Sequence, residues 1–136
     1  MKKVILSVFA VVLFVLACGE TGSPEGTVDR FLQALRDKDK EAALMTIYSG
    51  NQETDMQERF YDMWGDVESG AVSVEEWTEP KLTKSEEVSE EGVDVLEVAR
   101  VETEVTIVQD GQKDTEKVTF EVVRNEFGWF VFEMEG

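Results

Sequence analysis

The apolar positions of this chain change their period near residue 71. Before it, Val28, Phe31, Leu32 and Leu35 fall at i, i+3, i+4 and i+7, which predicts one face of a helix. After it, apolar and polar residues alternate, as in strands with one buried face. The predicted elements are helices from residue 24, over 40–48 and from about 54, then strands over 72–78, 81–87, 93–108, 118–124 and 129–134. This order indicates an α+β domain, with N-terminal helices packed on a curved antiparallel β-sheet.

A tight hairpin is predicted at Asp110-Gly111, a sequence that favours a two-residue type I′ loop. With these residues as the loop, facing positions have numbers that sum to 221. Three of the resulting pairs carry opposite charges: Arg100 with Glu121, Glu104 with Lys117, and Glu97 with Arg124. A shift by one residue would place Glu104 against Glu116, so the loop and the charges predict the same register.

The last hairpin is predicted at Asn125 to Gly128, as a turn with a bulged glycine. This register places Phe130, Phe132 and Met134 on the face that the helices cover. An apolar cluster is then left on the opposite face: Leu96, Val98, Val123, Trp129 and Val131. Either sheet curvature or the 72–78 strand covers this cluster, or it is an interface with a partner or a second copy of the chain.

The N-terminal segment has the organisation of a secretory signal. Lys2 and Lys3 precede 13 almost wholly apolar residues, and a small-residue cleavage site follows at Ala17 and Cys18. A bilayer-spanning helix needs about 20 apolar residues, so this segment is too short to be one. An ordinary secretory signal followed by an incidental cysteine is the alternative interpretation.

Residues 15–18, Val-Leu-Ala-Cys, resemble the lipobox of bacterial lipoproteins. That resemblance implies cleavage between Ala17 and Cys18, lipid attachment to Cys18, and a domain held outside the cytoplasm on a membrane of the bacterial cell envelope. The chain would then divide into a signal peptide (1–17), a lipidated cysteine with a short tether (18–23) and a single α+β domain (24–136). The membrane is thus a predicted partner, through the lipid at Cys18.

The net charge of the chain limits the classes of partner that it is expected to bind. The full chain has a net charge of −17, and the chain without residues 1–17 has 11 basic and 30 acidic residues, a net charge of −19. Nucleic acid is therefore not expected as a partner, because phosphate backbones require basic surfaces. Solubility near a negative envelope surface accounts for the acidity, with a basic partner, cation binding or a saline habitat as alternatives. Cys18 is the only cysteine, so no disulfide is expected.

Two segments carry a family resemblance. Residues 23–35, with Ser23-Pro24-Glu25 before the apolar stripe, resemble the opening of nuclear-transport-factor-2-like domains, and residues 118–131 resemble their last hairpin. Small bacterial lipoproteins related to lumazine-binding-like and SnoaL-like domains are the most similar in pattern. The resemblance spans about residues 24–134 and implies a cone-like sheet covered by helices. This fold carries unrelated functions, so function has to be argued from the site.

Catalytic chemistry has little support in the residues. The chain has no histidine, and a lipidated Cys18 cannot be a nucleophile. Ketosteroid isomerase, an enzyme of the resembled superfamily, uses an acidic base with Tyr and Asp donors. Here Glu97 lies on the core-facing side of its predicted strand, but it is predicted to pair with Arg124. Asp37, Asp39 and Glu41 lack the spacing of a calcium loop. We therefore expect no catalytic residue, no metal site, no cofactor and no enzyme activity.

Three functions remain at this stage. The first is a membrane-anchored, non-catalytic binding or interaction module, with an envelope protein or a second copy as its partner. The second is a carrier of a small apolar ligand in a cleft between helices and sheet. Its candidate lining is Phe31, Tyr61, Trp64, Val101 and Phe120, although the same side chains would serve equally as packed core. The third is an enzyme of the same superfamily.

Replacing the lipid-bearing residue tests the anchor directly. We expect Cys18→Ser to move the protein from the membrane fraction to the soluble fraction, because a serine cannot receive the thioether-linked lipid. Fractionation of cells expressing the two forms measures the change. Retention of the serine variant in membranes would contradict lipidation at this position.

Overall fold

The computed structural model describes residues 22–49, 55–88 and 95–136. The signal segment, Cys18, most of the tether and the predicted turn at 89–92 lie outside these residues. In these ranges eight elements follow one another: α1 (Pro24–Arg36), α2 (Lys40–Met45), α3 (Asp55–Ser69), β1 (Val72–Trp77), β2 (Lys81–Glu87), β3 (Glu97–Gln109), β4 (Gln112–Asn125) and β5 (Gly128–Glu135). Within the described ranges, no helix is both long and apolar enough to cross a membrane.

Side-chain caps begin the first two helices. The Ser23 hydroxyl accepts from the Gly26 N–H at 3.0 Å, and Pro24 takes the first helical position, where its missing N–H costs nothing. The Asp39 carboxylate caps α2 through the Ala42 N–H at 3.1 Å. α2 ends at Met45, earlier than predicted, because the following backbone pairs with β5 in a parallel bridge between Ile47 and Val131.

The five strands form one antiparallel sheet, which confirms the predicted fold class. β3 and β4 are its long central strands, and β5 pairs with the outer side of β4. β1 and β2 share the other side of β3: β1 pairs with its hairpin end and β2 with its beginning. Irregularities interrupt the β1–β3, β2–β3 and β4–β5 pairings, and such bulges bend a sheet and increase its twist.

The register of β3 with β4 is the predicted one. Asp110 and Gly111 have φ values of 53° and 81°, as a type I′ loop requires. Each predicted charge pair is found opposite its partner, and Arg124 Nε lies 3.2 Å from Glu97 Oε1. Lys117, which faces Glu104 in the register, instead reaches diagonally to Glu102 at 3.1 Å.

The predicted register of β5 is wrong for its first half. Gly128 pairs directly with Asn125, and the extra residue lies further on, between the pairs Val122–Val131 and Glu121–Glu133. A one-residue difference exchanges the two faces of a strand. Trp129 and Val131 therefore belong to the core cluster. Phe130 and Phe132, predicted on the core face, are half-buried and exposed respectively, whereas Met134 packs against the core as predicted.

The core lies between the helices and one face of the sheet. Phe31 of α1 meets Phe120 of β4 edge to face, with ring centroids 6.0 Å apart. Phe60 and Trp64 of α3 stack with centroids 5.4 Å apart. The largest fully buried side chains are Phe31, Phe60, Phe120, Met56, Val28, Val101, Val122 and Val131. Burial of these side chains is the main favourable contribution to folding.

Two exposed glycines provide a matched test of the backbone conformation in α3 and in the β3–β4 loop. Gly65 lies inside α3 and Gly111 has a φ of +81°, and a Cβ at either meets nothing within 4 Å. We expect Gly65→Ala to stabilise the domain by about 0.5–1 kcal/mol, because glycine loses more entropy in a helix. We expect Gly111→Ala to destabilise it by about 1–2 kcal/mol, because alanine is strained at positive φ.

Urea unfolding of the two variants and the parent measures these free energies. Changes of opposite sign in the free energy of unfolding would support the hairpin geometry. A stabilising or neutral Gly111→Ala would contradict the left-handed conformation at the loop.

Candidate functional site: an apolar cleft between the helices and the sheet

A cleft of about 290 Å³ lies between α1, α3 and the hairpin half of the sheet. We call it the helix–sheet cleft. Its walls come from all the strands except β2. The lining residues are Leu32, Leu35, Arg59, Met63, Val67, Val72, Val74, Val105, Ile107, Glu116, Val118, Phe120, Met134 and Gly136. The walls are thus mainly aliphatic, as is common for sites that take small molecules.

Valines make up a large share of the border of the cleft. Five of its lining residues are valines, contributed by α3, β1, β3 and β4. Arg59, Met63 and Val67 fall at i, i+4 and i+8, so they form one line along α3 that faces the sheet. The adjoining line, Phe60 and Trp64, carries larger rings and fills the core instead. The line of α3 that borders the cleft therefore carries no aromatic ring, whereas the adjoining line fills the core with two rings.

Two charged side chains border the cleft among the residues that the structure describes, Arg59 and Glu116. Both are exposed, so they lie toward solvent. Arg59 Nη1 donates to the Met134 carbonyl oxygen at 2.7 Å and so ties α3 to β5. The aliphatic walls can provide contact area for a ligand, and the two charges can orient a polar end of that ligand.

One of the five side chains predicted to line a cleft does so. Phe120 lines it, whereas Phe31 and Val101 are fully buried in the neighbouring core. Trp64 is also in the core, and its Nε1 donates to Glu68 Oε2 at 3.1 Å. Tyr61 lies on the outer side of α3 under the Lys40 amine, which is 5.7 Å from the ring centroid. The sequence carried a usable signal in the line of Arg59, Met63 and Val67, which the prediction did not use.

The predicted interface cluster is mostly covered by the domain itself. Val123, Trp129 and Val131 are buried, Val98 is half-buried and Leu96 is exposed. The bulge in β5 places Trp129 and Val131 on the core face of the sheet, so these two residues do not belong to the opposite face. The backbone after α2 pairs with β5: the Val131 N–H donates to the Thr46 oxygen at 2.7 Å, and the Tyr48 N–H donates to the Val131 oxygen at 2.8 Å.

Glu97, the acidic residue considered as a base, lies far from the helix–sheet cleft. Eight residues of β3 separate it from Val105, a distance of about 26 Å along the strand. Its carboxylate accepts from the Ser85 hydroxyl at 2.5 Å and from Arg124 Nε at 3.2 Å. Glu97 therefore links β3 to its two neighbouring strands, β2 and β4, through side-chain hydrogen bonds. In the part of the chain that is described, no group of three or more potential ligands could hold a metal ion.

Solved structures with the same fold are found at low sequence identity. A ketosteroid isomerase-like protein from Erwinia carotovora atroseptica SCRI1043 is 15% identical, with a TM-score of 0.50 over 81% of this chain and 88% of that one. A substituted form of a protein named Rd1NTF2_05 is 12% identical, with a TM-score of 0.50 over 79% and 90%. The intermembrane space region of the chloroplast protein ARC6 is 13% identical, with a TM-score of 0.53 over 82% and 91%.

These comparisons define the class of the domain by its fold. The chain has the cone-like α+β fold shared by nuclear-transport-factor-2-like and ketosteroid isomerase-like proteins, as the sequence predicted. No protein-family model and no curated protein matches the sequence. At this level of identity the likeness concerns the fold alone, and the function has to be argued from the residues of the cleft.

The burial of Trp129 leads to a prediction that separates core from interface. Trp129 is 8% exposed, and Arg124 lies 5.9 Å from the centroid of its ring. We expect Trp129→Glu to lower the free energy of unfolding by about 3–5 kcal/mol, because it removes a buried ring and buries a charge. Urea unfolding measures this loss. Phe127→Glu, at a position that is 80% exposed, serves as the control and should change the free energy of unfolding little.

A Trp129→Glu variant with unchanged stability and a smaller oligomer would contradict this expectation and restore the interface interpretation.

Proposed function

We propose that this protein is a lipid-anchored, non-catalytic binding module of the bacterial envelope, and that its ligand is a small apolar molecule in the helix–sheet cleft. The observation that carries the proposal is the cleft itself, which is bordered by aliphatic side chains from two helices and four strands. The predicted interface cluster gives less support to a protein-interaction role, because three of its five residues are buried in the domain.

The size of the cleft sets the size of the ligand. An engineered apolar cavity of about 150 Å³ accepts benzene, so about 290 Å³ has room for roughly two fused rings or a short branched chain. Small-molecule sites begin at about 300 Å³, which places this cleft at the lower limit. A compact hydrocarbon body with at most one polar end therefore fits better than a sugar or a nucleotide.

The placement of the domain is argued from the sequence. Val15 to Cys18 resembles a lipobox, and a cysteine at that point has no other cysteine with which to pair. A lipoprotein with at least two acyl chains stays on its membrane, whereas a single chain binds only marginally. A short tether would keep the domain, and any ligand that it holds, close to the source of apolar molecules in the envelope.

A non-catalytic role is favoured by what surrounds the cleft. The chain contains no histidine, and the two charged residues that border the cleft within the described ranges are exposed. A carboxylate buried among the apolar walls would have suggested proton transfer, whereas Glu116, the acid that borders the cleft, is exposed to solvent. Glu97, the acid predicted on the core-facing side of its strand, instead accepts hydrogen bonds from Arg124 and Ser85 at the other end of β3.

Two substitutions on the same face of β3 test the cleft. Val105 borders the cleft, and Val101, four residues earlier, is fully buried without bordering it. We expect Val105→Phe to place its ring in the cleft with little change in stability. Its affinity for 1-aminonaphthalene, a neutral dye of two fused rings whose emission depends on the polarity of its surroundings, should fall by about tenfold or more. We expect Val101→Phe to cost about 1–3 kcal/mol, because its ring has no space.

Dye titrations and urea unfolding of the parent and the two variants provide both readouts. Equal destabilisation by the two phenylalanines would indicate that the cleft is closed in solution. Unchanged dye affinity in Val105→Phe would show that the cleft is not where the ligand binds.

A further inference from the structure

We infer that the end of the domain that carries Phe127 and Met45 rests on the bilayer, with both side chains in the headgroup region. The inference rests on the proposed anchor at Cys18 and concerns a different surface from the helix–sheet cleft. We call this surface the membrane-facing end. It is a groove of about 230 Å³ lined by Thr27, Arg30, Met45, Thr46, Phe127, Gly128, Trp129 and Phe130.

The most exposed large apolar side chains of the described residues meet at this groove. Phe127 is 80% exposed and Met45 is 72% exposed, and they come from different parts of the chain. Leu96, 42% exposed, lies nearby, because its N–H donates to the carbonyl oxygen of Arg124, next to the β4–β5 turn. Apolar groups that are gathered in this way usually mark a surface that is covered in use.

The backbone holds both side chains outward. Phe127 is at the tip of the β4–β5 turn, where its N–H donates to the Asn125 side-chain oxygen at 2.8 Å. Met45 is the last residue of α2, and the next residue, Thr46, is fixed to β5 by the Val131 N–H. These bonds fix the backbone at the turn and after α2, so the two exposed side chains are attached to ordered segments.

The length of the tether places this end, rather than another, beside the membrane. Ser23 caps α1, and its carbonyl oxygen accepts from the Thr27 N–H and hydroxyl at 3.1 and 2.9 Å. Thr27 lines the groove. Five residues lead from Cys18 to Ser23, and they span at most about 18 Å. A lipid on Cys18 would therefore hold the groove within about one domain radius of the bilayer.

Charge is compatible with this orientation. Arg30 is the one charged residue that lines the groove among those described, in a chain whose net charge is −17. A guanidinium beside two apolar side chains matches a surface of phosphate groups above hydrocarbon. The opposite end is different: residues 109–117, around the β3–β4 loop, are all exposed and include no large apolar side chain. Because the anchor already supplies proximity, a weak contact is enough to orient the domain.

Depth-dependent quenching tests the inference. The lipidated chain is purified from membranes and reconstituted in phosphatidylcholine vesicles with brominated acyl chains. If no lipidated form is obtained, Cys18 is coupled to a maleimide lipid, so that anchoring is imposed. Phe127→Trp adds a reporter at the membrane-facing end. Gln112→Trp adds a matched one at an exposed position about 40 Å along the strands, at the opposite end.

We expect brominated lipid to remove about half of the emission that Trp at position 127 adds, because the headgroup boundary lies within reach of the quencher. The emission added at position 112 should not change. Equal quenching at the two positions, or none at either, would overturn the inference. Concentration-dependent dimers that Phe127→Ser abolishes, without quenching, would assign the groove to a second copy of the chain. Dye binding and the Cys18→Ser fractionation report on the proposed function independently of these outcomes.

Discussion

The antiparallel pairing of β3 with β4 is the interaction on which the rest of the domain depends. Thirteen residue pairs extend from Glu97–Arg124 to Gln109–Gln112, with the Asp110-Gly111 loop at one end. One face of these two strands supplies Val101, Val105, Phe120 and Val122 to the core, and every other strand adds to one of their edges. A slip of one residue would turn this face toward water and remove the surface on which the helices pack. The Asp110-Gly111 loop and the ion pair of Glu97 with Arg124, at the two ends of the pairing, both favour the observed register over that slip.

Local patterns in the sequence were sufficient to predict this frame. The apolar stripe of α1, the change of period near residue 71 and the loop at residues 110–111 each depend on neighbouring residues, and each appears in the structure as predicted. The errors came from contacts between distant segments. The bulge near Phe132 reverses the faces in the first half of β5, and the backbone after α2 pairs with β5 at Val131. Neither feature is visible in local periodicity. The cleft was predicted between the right layers, but four of its five predicted residues lie elsewhere. The space left between side chains depends on how the ridges of α3 meet the sheet, which composition does not specify.

The structure separates two kinds of apolar surface along the length of α1. Thr27 and Arg30, near its beginning, border the membrane-facing end, whereas Leu32 and Leu35, near its end, border the helix–sheet cleft. A helix of 13 residues is about 20 Å long, so the two sites are held apart by a rigid element. In the proposed account the anchor and Phe127 orient one end of the domain on the membrane, and the cleft receives its ligand at the other. The fold permits this arrangement because the strands β3 and β4 run the whole length between the two ends.

The central claim is that the helix–sheet cleft holds a small apolar molecule. Native mass spectrometry of the protein purified from its membrane, compared with the Val105→Phe variant prepared in the same way, tests it most directly. The account predicts an added mass, consistent with a compact hydrocarbon body, on the parent protein and its loss from the variant. The bare mass of the chain and its lipid in both preparations would contradict the claim, as would an added mass that Val105→Phe retains.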